Sequence, residues 1–252
     1  MIKIGLLGCG NVGQIIAKHA EGIEIVALFD MIAGHAQELT AFCRAEPYTD
    51  FDAFIAQDFD LVVEAASVGA VRSYGEAILE AGKDLVLLSG GALADEDFRE
   101  ELVETARRNN RKIYIPSGAI IGLDNLKIGR ISPFKTLLLR TTKHPSALGI
   151  SGAGRTEIFK GQARECIKQY PKNINVAVAL GLAAGREADV ELWVDPDVER
   201  NIHEVYAEGE FGDIYIRIRN VPSPDNPATS YMAALSILTL LRNLDNPLVV
   251  GT

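Results

Sequence analysis

Three glycines near the amino terminus have the spacing of a phosphate-binding turn. Gly8, Gly10 and Gly13 form a G-x-G-x-x-G pattern directly after a short apolar run. Between a strand and a helix, Gly8 permits the tight bend, Gly10 leaves room for a pyrophosphate, and Gly13 lets the two elements approach closely. The first helical residues, Asn11 and Val12, then present backbone amides to the phosphates. The pattern predicts a dinucleotide site, and a glycine turn kept only for packing is the alternative.

An acidic residue follows where a bound ribose is expected. Asp30 lies at the end of the predicted second strand, where its carboxylate can accept hydrogen bonds from both ribose hydroxyls. The carboxylate would repel a 2'-phosphate, and Met31, Ile32 and Ala33 offer no arginine to receive one. We therefore expect NAD as the cofactor, with NADP possible. His35, expected in a loop nearby, is interpreted as a solvated histidine rather than a phosphate ligand.

Few other side chains are suited to proton transfer. Of four histidines, His144 and His203 remain as candidates, because His19 lies on the first predicted helix and His35 near the adenosine end. His203 follows an acidic segment, and its ordinary pKa would be close to the working pH, which makes it a candidate acid or base. A surface histidine at a sheet edge is the alternative. The three cysteines are scattered without disulfide or zinc spacing, so we expect reduced thiols and no metal site.

The first half of the chain has the alternating pattern that positions such a turn. Short apolar runs alternate with helical patterns, as in parallel strands joined by crossover helices. The predicted strands are 2–7, 24–29, 61–65, 85–88 and 112–115, and the predicted helices are 11–20, 71–81 and 95–109. The polar stretch 44–60 is assigned no element. These elements predict an α/β fold with a doubly wound parallel sheet of the Rossmann type.

The second half has a different texture. Segments 135–142, 190–194 and 213–219 show the alternation of an open sheet with one solvated face, and 156–170 is predicted to be a helix. An apolar stretch at 229–241 predicts a buried helix. We therefore expect a dinucleotide-binding domain at 1–120, completed by 229–252. Residues 121–228 would form an α+β domain with an open mixed or antiparallel sheet for substrate binding and oligomerisation.

Composition and charge limit the class of protein. The 252 residues are 48% hydrophobic with a net charge of -9, which excludes a disordered chain and argues against a nucleic-acid partner. No run reaches the roughly 18 apolar residues of a membrane span, and the start lacks a signal-peptide core, so we expect a cytoplasmic protein with no membrane partner. Segment 127–172 is locally basic, which would attract small anions; a solvated helix face is the alternative.

Blocks of sequence along nearly the whole chain resemble the L-aspartate dehydrogenase family. They are 8–13, 64–67, 89–93, 116–124, then Phe159, Gly161, Ala163 and Glu165, then 170–177 and 201–204. The later blocks are specific to this family rather than to dinucleotide-binding folds in general. One departure is 142–145, where the family carries a Lys-Pro-Pro type of run.

The resemblance implies a reversible NAD(P)-dependent oxidation of L-aspartate to iminoaspartate, which hydrolyses to oxaloacetate and ammonia. Iminoaspartate can feed quinolinate and hence NAD synthesis. The resemblance also makes His203 the acid/base residue and Ala119 and Asn173 contacts of the nicotinamide cofactor. Ala66 and Ser67, in the second block, are assigned to the cofactor as well.

A dicarboxylate substrate needs fixed hydrogen-bond donors. Lys143 and Asn175 are candidates, and Ser117 and Gly118 follow a predicted strand at the carboxyl edge, where ligands of open parallel sheets bind. Turn chemistry after Pro171 is the alternative for the asparagines. Two other functions stay open: a related reductase of the dihydrodipicolinate reductase or homoserine dehydrogenase type, and a non-catalytic dinucleotide-sensing protein. We expect a homodimer that pairs through the sheet of the second domain.

Overall fold

The computed structural model describes residues 1–151, 154–170, 174–223 and 226–250. The chain divides into two compact units. The first unit comprises Met1–Pro116 and Ala233–Val250, and the second comprises Ser117–Met232. The carboxyl-terminal segment thus returns to the first unit. No helix among the described residues has the length and apolar character to cross a bilayer.

A parallel sheet with intervening helices forms the first unit. Its strands are β1 (Ile2–Leu7), β2 (Ile23–Phe29), β3 (Glu46–Tyr48), β4 (Leu61–Glu64), β5 (Asp84–Leu87) and β6 (Ile113–Tyr114), and its helices up to residue 116 are α1 (Asn11–Lys18), α2 (Ala33–Leu39), α3 (Phe51–Ile55), α4 (Val68–Glu80) and α5 (Glu96–Arg108). The order β3-β2-β1-β4-β5-β6, with every pair parallel, is the Rossmann arrangement. The predicted fold class is confirmed. Two short elements, β3 and α3, occupy the stretch 44–60 that was assigned none.

A mixed sheet forms the second unit. Its elements are α6 (Leu123–Leu126), β7 (Phe134–Lys143), β8 (Thr156–Gln162), α7 (Ala163–Gln169), α8 (Ile174–Ala184), β9 (Asp189–Val194), β10 (Asn201–Gly209), β11 (Gly212–Asn220), β12 (Pro222–Ser223) and β13 (Asn226–Ser230). The main sheet has the order β11-β10-β7-β9-β8 in the described residues, with β7 and β9 parallel and the other pairs antiparallel. The open mixed sheet that was predicted for this half is therefore confirmed.

The predicted helix over 156–170 is wrong in its first half. Residues Thr156–Gln162 are extended as the edge strand β8, in which Phe159 pairs with Leu192 of β9. The helix α7 begins only at Ala163, where Gln162 and Glu165 form a capping box. The helical pattern of the segment was overridden because the strand pairs with a partner some 30 residues further along the chain.

The two faces of this second sheet differ. Leu137, Leu139 and Val205 belong to the hydrophobic core cluster together with Leu180 of α8, and we call the side of the sheet that they share the core face. The opposite, open face carries Arg140, Glu191, Glu204, Tyr206 and Tyr215. Because side chains alternate along a strand, the odd-numbered residues of β7 from Leu137 onward and those of β10 lie on the core face.

The last helix, α9 (Tyr231–Leu244), belongs mainly to the first unit. Its buried residues Ala234, Ile237, Leu238 and Leu241 recur at helical spacing, which gives the helix one apolar side. Arg242, in its last turn, donates to the backbone oxygen of His19 over 3.2 Å. The helix starts and ends two to three residues later than the predicted 229–241.

Candidate active site

The glycine turn joins β1 to α1, as its spacing predicts. Gly8 has a φ of +101°, and a Cβ there would lie 2.7 Å from the backbone carbon of Ala65. A Cβ on Gly13 would collide with the backbone oxygen of Gly8. At Gly10, by contrast, a Cβ would meet no atom within 4 Å. Packing of the turn therefore requires Gly8 and Gly13, whereas Gly10 leaves open space beside the backbone.

The amino-terminal end of α1 is suited to an anion. Its N-cap is Gly10, which has no side chain to accept from the first-turn amides, and the first turn holds no acidic residue. The same position in α4 and α5 is filled by Ser67 and Asp95, whose side chains accept a backbone amide. Asn11 and Val12 form the start of α1. Because α1 lacks this internal acceptor and has space at Gly10, its amino terminus fits the pyrophosphate of a dinucleotide.

Asp30 follows β2 directly and bridges two loops. One carboxylate oxygen accepts from the amide of Cys9 and the other from the amide of Ile32, each over 2.9 Å. A carboxylate oxygen has two lone pairs, so both can accept a further hydroxyl. His35 lies 3.5 Å from Asp30 within α2, so its expected loop position is wrong. Burial, and then the charge of Asp30, raise the pKa of Cys9 to about 12, which keeps it a thiol.

Glu64, at the end of β4, ties together two loops at the carboxyl edge of the sheet. Its side chain is 1% exposed and accepts from the amide of Ala66 over 2.8 Å and from the amide and hydroxyl of Ser89 over 2.9 Å each. Ala66 and Ser67, both predicted to bind the cofactor, are exposed at this edge, and the Ser67 hydroxyl also caps α4. The sequence interpretation gave Glu64 no role, although a lone acid that ends an apolar strand was a usable signal.

His203 lies on the core face of the second unit, inside the sheet. Its strand, β10, has neighbours on both sides, and the residue is 6% exposed, so the alternative of a surface histidine at a sheet edge is wrong. The ring atom Nδ1 lies 3.0 Å from the hydroxyl of Thr141 on β7. Burial, and secondarily the charge of Lys143, lower the pKa of His203 to about 3. The expectation of a pKa near the working pH is therefore wrong, and the imidazole is neutral.

Lys143 shares the core face, two residues beyond Thr141 on β7. Burial lowers the pKa of its ammonium group to about 8. Within the described part of the chain, its side chain has no hydrogen bond or ion pair. Other cations of the basic stretch are paired: Arg140 and Lys160 with Glu191, over 2.7 and 3.2 Å, and Arg164 with Glu187. Lys143 combines burial with a charge that no described carboxylate balances, so it is suited to bind an added anion.

Three further predicted residues, Ser117, Gly118 and Ala119, lie in the segment that follows β6. Ser117 and Gly118 are partly buried, with Gly118 at a φ of +64°. The backbone oxygen of Ala119 accepts from the side chain of Asn220 over 2.9 Å. Asn175 is exposed in the first turn of α8. Asn173 lies outside the described residues.

The structure thus brings most of the predicted residues into two groups. The first unit gathers the glycine turn, Asp30, Ala66 and Ser67 at the carboxyl edge of its sheet, and the second unit gathers Lys143 and His203 on its core face. Thr141 was missed, although the alternation of the predicted strand 135–142 places it on the same face as the core leucines.

Known proteins match this chain over its full length. Residues 4–116 match the family model described as the NAD binding domain of homoserine dehydrogenase, and residues 124–244 match the model described as aspartate dehydrogenase, C-terminal. An L-aspartate dehydrogenase of Methanospirillum hungatei is 60% identical over 252 residues, with both chains fully covered. One of Methanothermobacter thermautotrophicus is 41% identical and covers 100% of this chain and 99% of its own.

A solved structure agrees with these relatives. The crystal structure of aspartate dehydrogenase from Thermotoga maritima superposes with a TM-score of 0.85 at 30% identity, covering 100% of both chains. The first unit is therefore an NAD(P)-binding domain, as its glycine turn indicates. Matched along its whole length by these relatives and by the carboxyl-terminal family model, the chain belongs to the aspartate dehydrogenase family.

Proposed function

We propose that this protein oxidises L-aspartate reversibly to iminoaspartate with NAD(P), and that the imine hydrolyses to oxaloacetate and ammonia. The observation that carries the proposal is that the core face holds both a neutral, buried imidazole and a lysine with no ion pair among the described residues. Full-length relatives named L-aspartate dehydrogenase support it. When bound, NAD(P) accepts the hydride from the α-carbon of the amino acid.

His203 is proposed as the acid/base residue. Its ring is neutral, so Nε2 can take a proton from the water that adds to the imine carbon. In the reverse direction the same nitrogen returns that proton to the departing water. Because Nδ1 already lies at hydrogen-bond distance from Thr141, Nε2 is the nitrogen that serves the substrate.

Lys143 is proposed to bind a carboxylate of the substrate. A partly buried ammonium group without a carboxylate partner gains more from a bound anion than an exposed lysine would. Ser117, Gly118 and Asn175 remain proposed as further substrate contacts. Asn175 is supported only by its position at the start of α8, and the two others by their position after β6.

The glycine turn, Asp30, Ala66 and Ser67 are proposed to hold the dinucleotide, with Ala119 and Asn173 as further contacts. NAD is proposed as the preferred form because the Asp30 carboxylate would repel a 2'-phosphate. The neighbours Met31 and Ile32 are exposed and apolar, so they offer that phosphate no positive charge. Each carboxylate oxygen of Asp30 accepts from one amide and keeps a second lone pair, and these two lone pairs suit the two hydroxyls of an unmodified ribose.

The cellular setting is proposed from the same chemistry. A cytoplasmic location is supported by the use of NAD(P) and by three cysteines that are free thiols. Iminoaspartate would be delivered to quinolinate formation and hence to NAD synthesis. A further proposal is a homodimer that pairs through the open face of the second sheet, where Tyr215 is 54% exposed and its ring contacts that of Tyr206.

The reaction is tested directly by mixing the purified protein with NADH, oxaloacetate and ammonia. We expect loss of NADH absorbance in wild type and a decrease in kcat of about 100-fold or more in His203→Gln, because that variant loses the proton-transferring ring. His144→Gln, at an exposed histidine outside the proposed site, is the matched control and should keep wild-type activity. NADH binding without turnover in wild type would favour a dinucleotide sensor instead.

The roles of two glycines can be separated by the same small substitution. Gly13→Ala should lower the free energy of unfolding by about 1–3 kcal/mol, because its Cβ collides with the Gly8 oxygen. Gly10→Ala should unfold like wild type yet bind NADH at least about tenfold more weakly, because its Cβ fills the space left for the pyrophosphate. Urea unfolding and NADH fluorescence titration measure the two effects. Unchanged NADH affinity in Gly10→Ala would contradict the proposed site.

We predict that the affinity for a dicarboxylate depends on pH through the charge of Lys143. With its pKa lowered to about 8, the ammonium group is charged below this pH and neutral above it, so affinity for an anion should fall as the pH rises through 8. The inhibition constant of succinate, whose own charge is constant between about pH 7 and 10, measures this. Lys143→Met should bind weakly at every pH, whereas Lys135→Met, an exposed lysine on the same strand, should retain the wild-type profile.

Sedimentation equilibrium at micromolar concentration tests the proposed assembly. We expect twice the mass of one chain. Tyr215→Glu should shift the protein toward the monomer, since it places a charge beside Glu204 within the proposed contact. A wild-type protein that sediments as a monomer would rule out the dimer.

A further inference from the structure

Thr141 lies directly opposite His203 in the antiparallel pair of β7 and β10. Its hydroxyl oxygen is 3.0 Å from Nδ1 of the ring, and the two residues are 5% and 6% exposed. The contact is therefore buried and set by the register of the sheet rather than by a mobile loop. A buried hydrogen bond of this kind fixes the direction in which an imidazole points.

We propose that Thr141 is a positioning residue for the reaction: its hydroxyl holds the His203 ring through Nδ1, so that Nε2 is the nitrogen that exchanges protons. This inference rests on the proposed function, because it gives His203 an orientation in which to act. Thr141 itself has no contact with substrate in the proposal.

The hydrogen bond to Thr141 occupies one of the two ring nitrogens of His203. In the described part of the chain, the Thr141 hydroxyl has no hydrogen-bond partner other than Nδ1, and Nε2 of His203 has no hydrogen-bond partner. We assign the tautomer that the proposed base requires: Nδ1–H donates to the Thr141 hydroxyl, and Nε2 carries the lone pair that accepts a proton. When Nε2 takes up a proton, the Nδ1–H group stays on the Thr141 hydroxyl, so no proton has to move between the two ring nitrogens.

A hydroxyl suits this position better than a carboxylate would. An aspartate or glutamate at Nδ1 stabilises the charged imidazolium and raises its pKa. A threonine orients the ring without adding charge, so the imidazole stays neutral beside the ammonium group of Lys143. Thr141 thus orients the base, while burial and the charge of Lys143 keep it neutral.

Three variants test the inference by steady-state kinetics. Thr141→Val keeps the shape but removes the hydroxyl, and we expect kcat to fall by about tenfold or more with an NADH KM within about twofold of wild type. Thr141→Ser restores the hydroxyl and should recover most of the loss. Thr142→Val is the matched control: this neighbour is 3% exposed, lies on the opposite side of the strand, and should leave kcat near wild type.

A double variant shows whether Thr141 acts through His203. Adding Thr141→Val to His203→Gln should reduce kcat no further, because the ring that Thr141 orients is already absent. Multiplying losses would overturn the inference, and so would a wild-type kcat in Thr141→Val or a Thr141→Ser variant as slow as Thr141→Val.

Nitrogen-15 shifts of the His203 ring test the inference without turnover. In ligand-free wild type we expect two well-separated shifts, those of one fixed tautomer with the hydrogen on Nδ1. In Thr141→Val the shifts should move toward the average of an exchanging ring. Unchanged shifts in that variant would overturn the inference whatever the activity, whereas a wild-type protein that does not oxidise NADH would overturn the proposed function alone.

Discussion

Burial of two basic groups side by side is the constraint on which the candidate site depends. On the core face of the second sheet, loss of water lowers the pKa of His203 to about 3 and that of Lys143 to about 8. Between these values the imidazole is neutral and the ammonium group is charged, and the charge of Lys143 itself helps to keep the ring neutral. A charge held near a proton acceptor, with no carboxylate partner among the described residues, suits a substrate that brings its own carboxylate and needs a base.

In the first unit, the glycine turn depends on close approach between two backbone segments. The turn at Gly8 approaches the backbone after β4, where Glu64 binds the amide of Ala66 and both donors of Ser89. Asp30 connects the turn to the loop after β2 by accepting from Cys9 and Ile32. These two acidic side chains therefore shape the loops at the carboxyl edge of the sheet, while the amino terminus of α1, which has no side-chain cap, is proposed to receive the phosphates. The cofactor edge is ordered by the protein's own hydrogen bonds.

The parts that follow local rules could be predicted from the sequence. The glycine spacing and the alternation of strands and helices lead to the Rossmann sheet, because each signal lies within one turn or one element. The strand β8 and the environment of His203 could not be predicted in this way. The segment 156–162 is extended because it pairs with β9. His203 is buried because its strand pairs with β7, which places Thr141, 62 residues earlier in the chain, opposite it. Pairing between distant segments decides burial, and burial decides the pKa.

The most direct test of the account is a crystal structure of the protein with NAD and a dicarboxylate bound. The account predicts one carboxylate of the ligand within hydrogen-bond distance of Nζ of Lys143, and Nε2 of His203 facing the carbon that would become the imine. The Nδ1 atom of His203 should remain on the hydroxyl of Thr141. A dicarboxylate bound away from both Lys143 and His203 would contradict it.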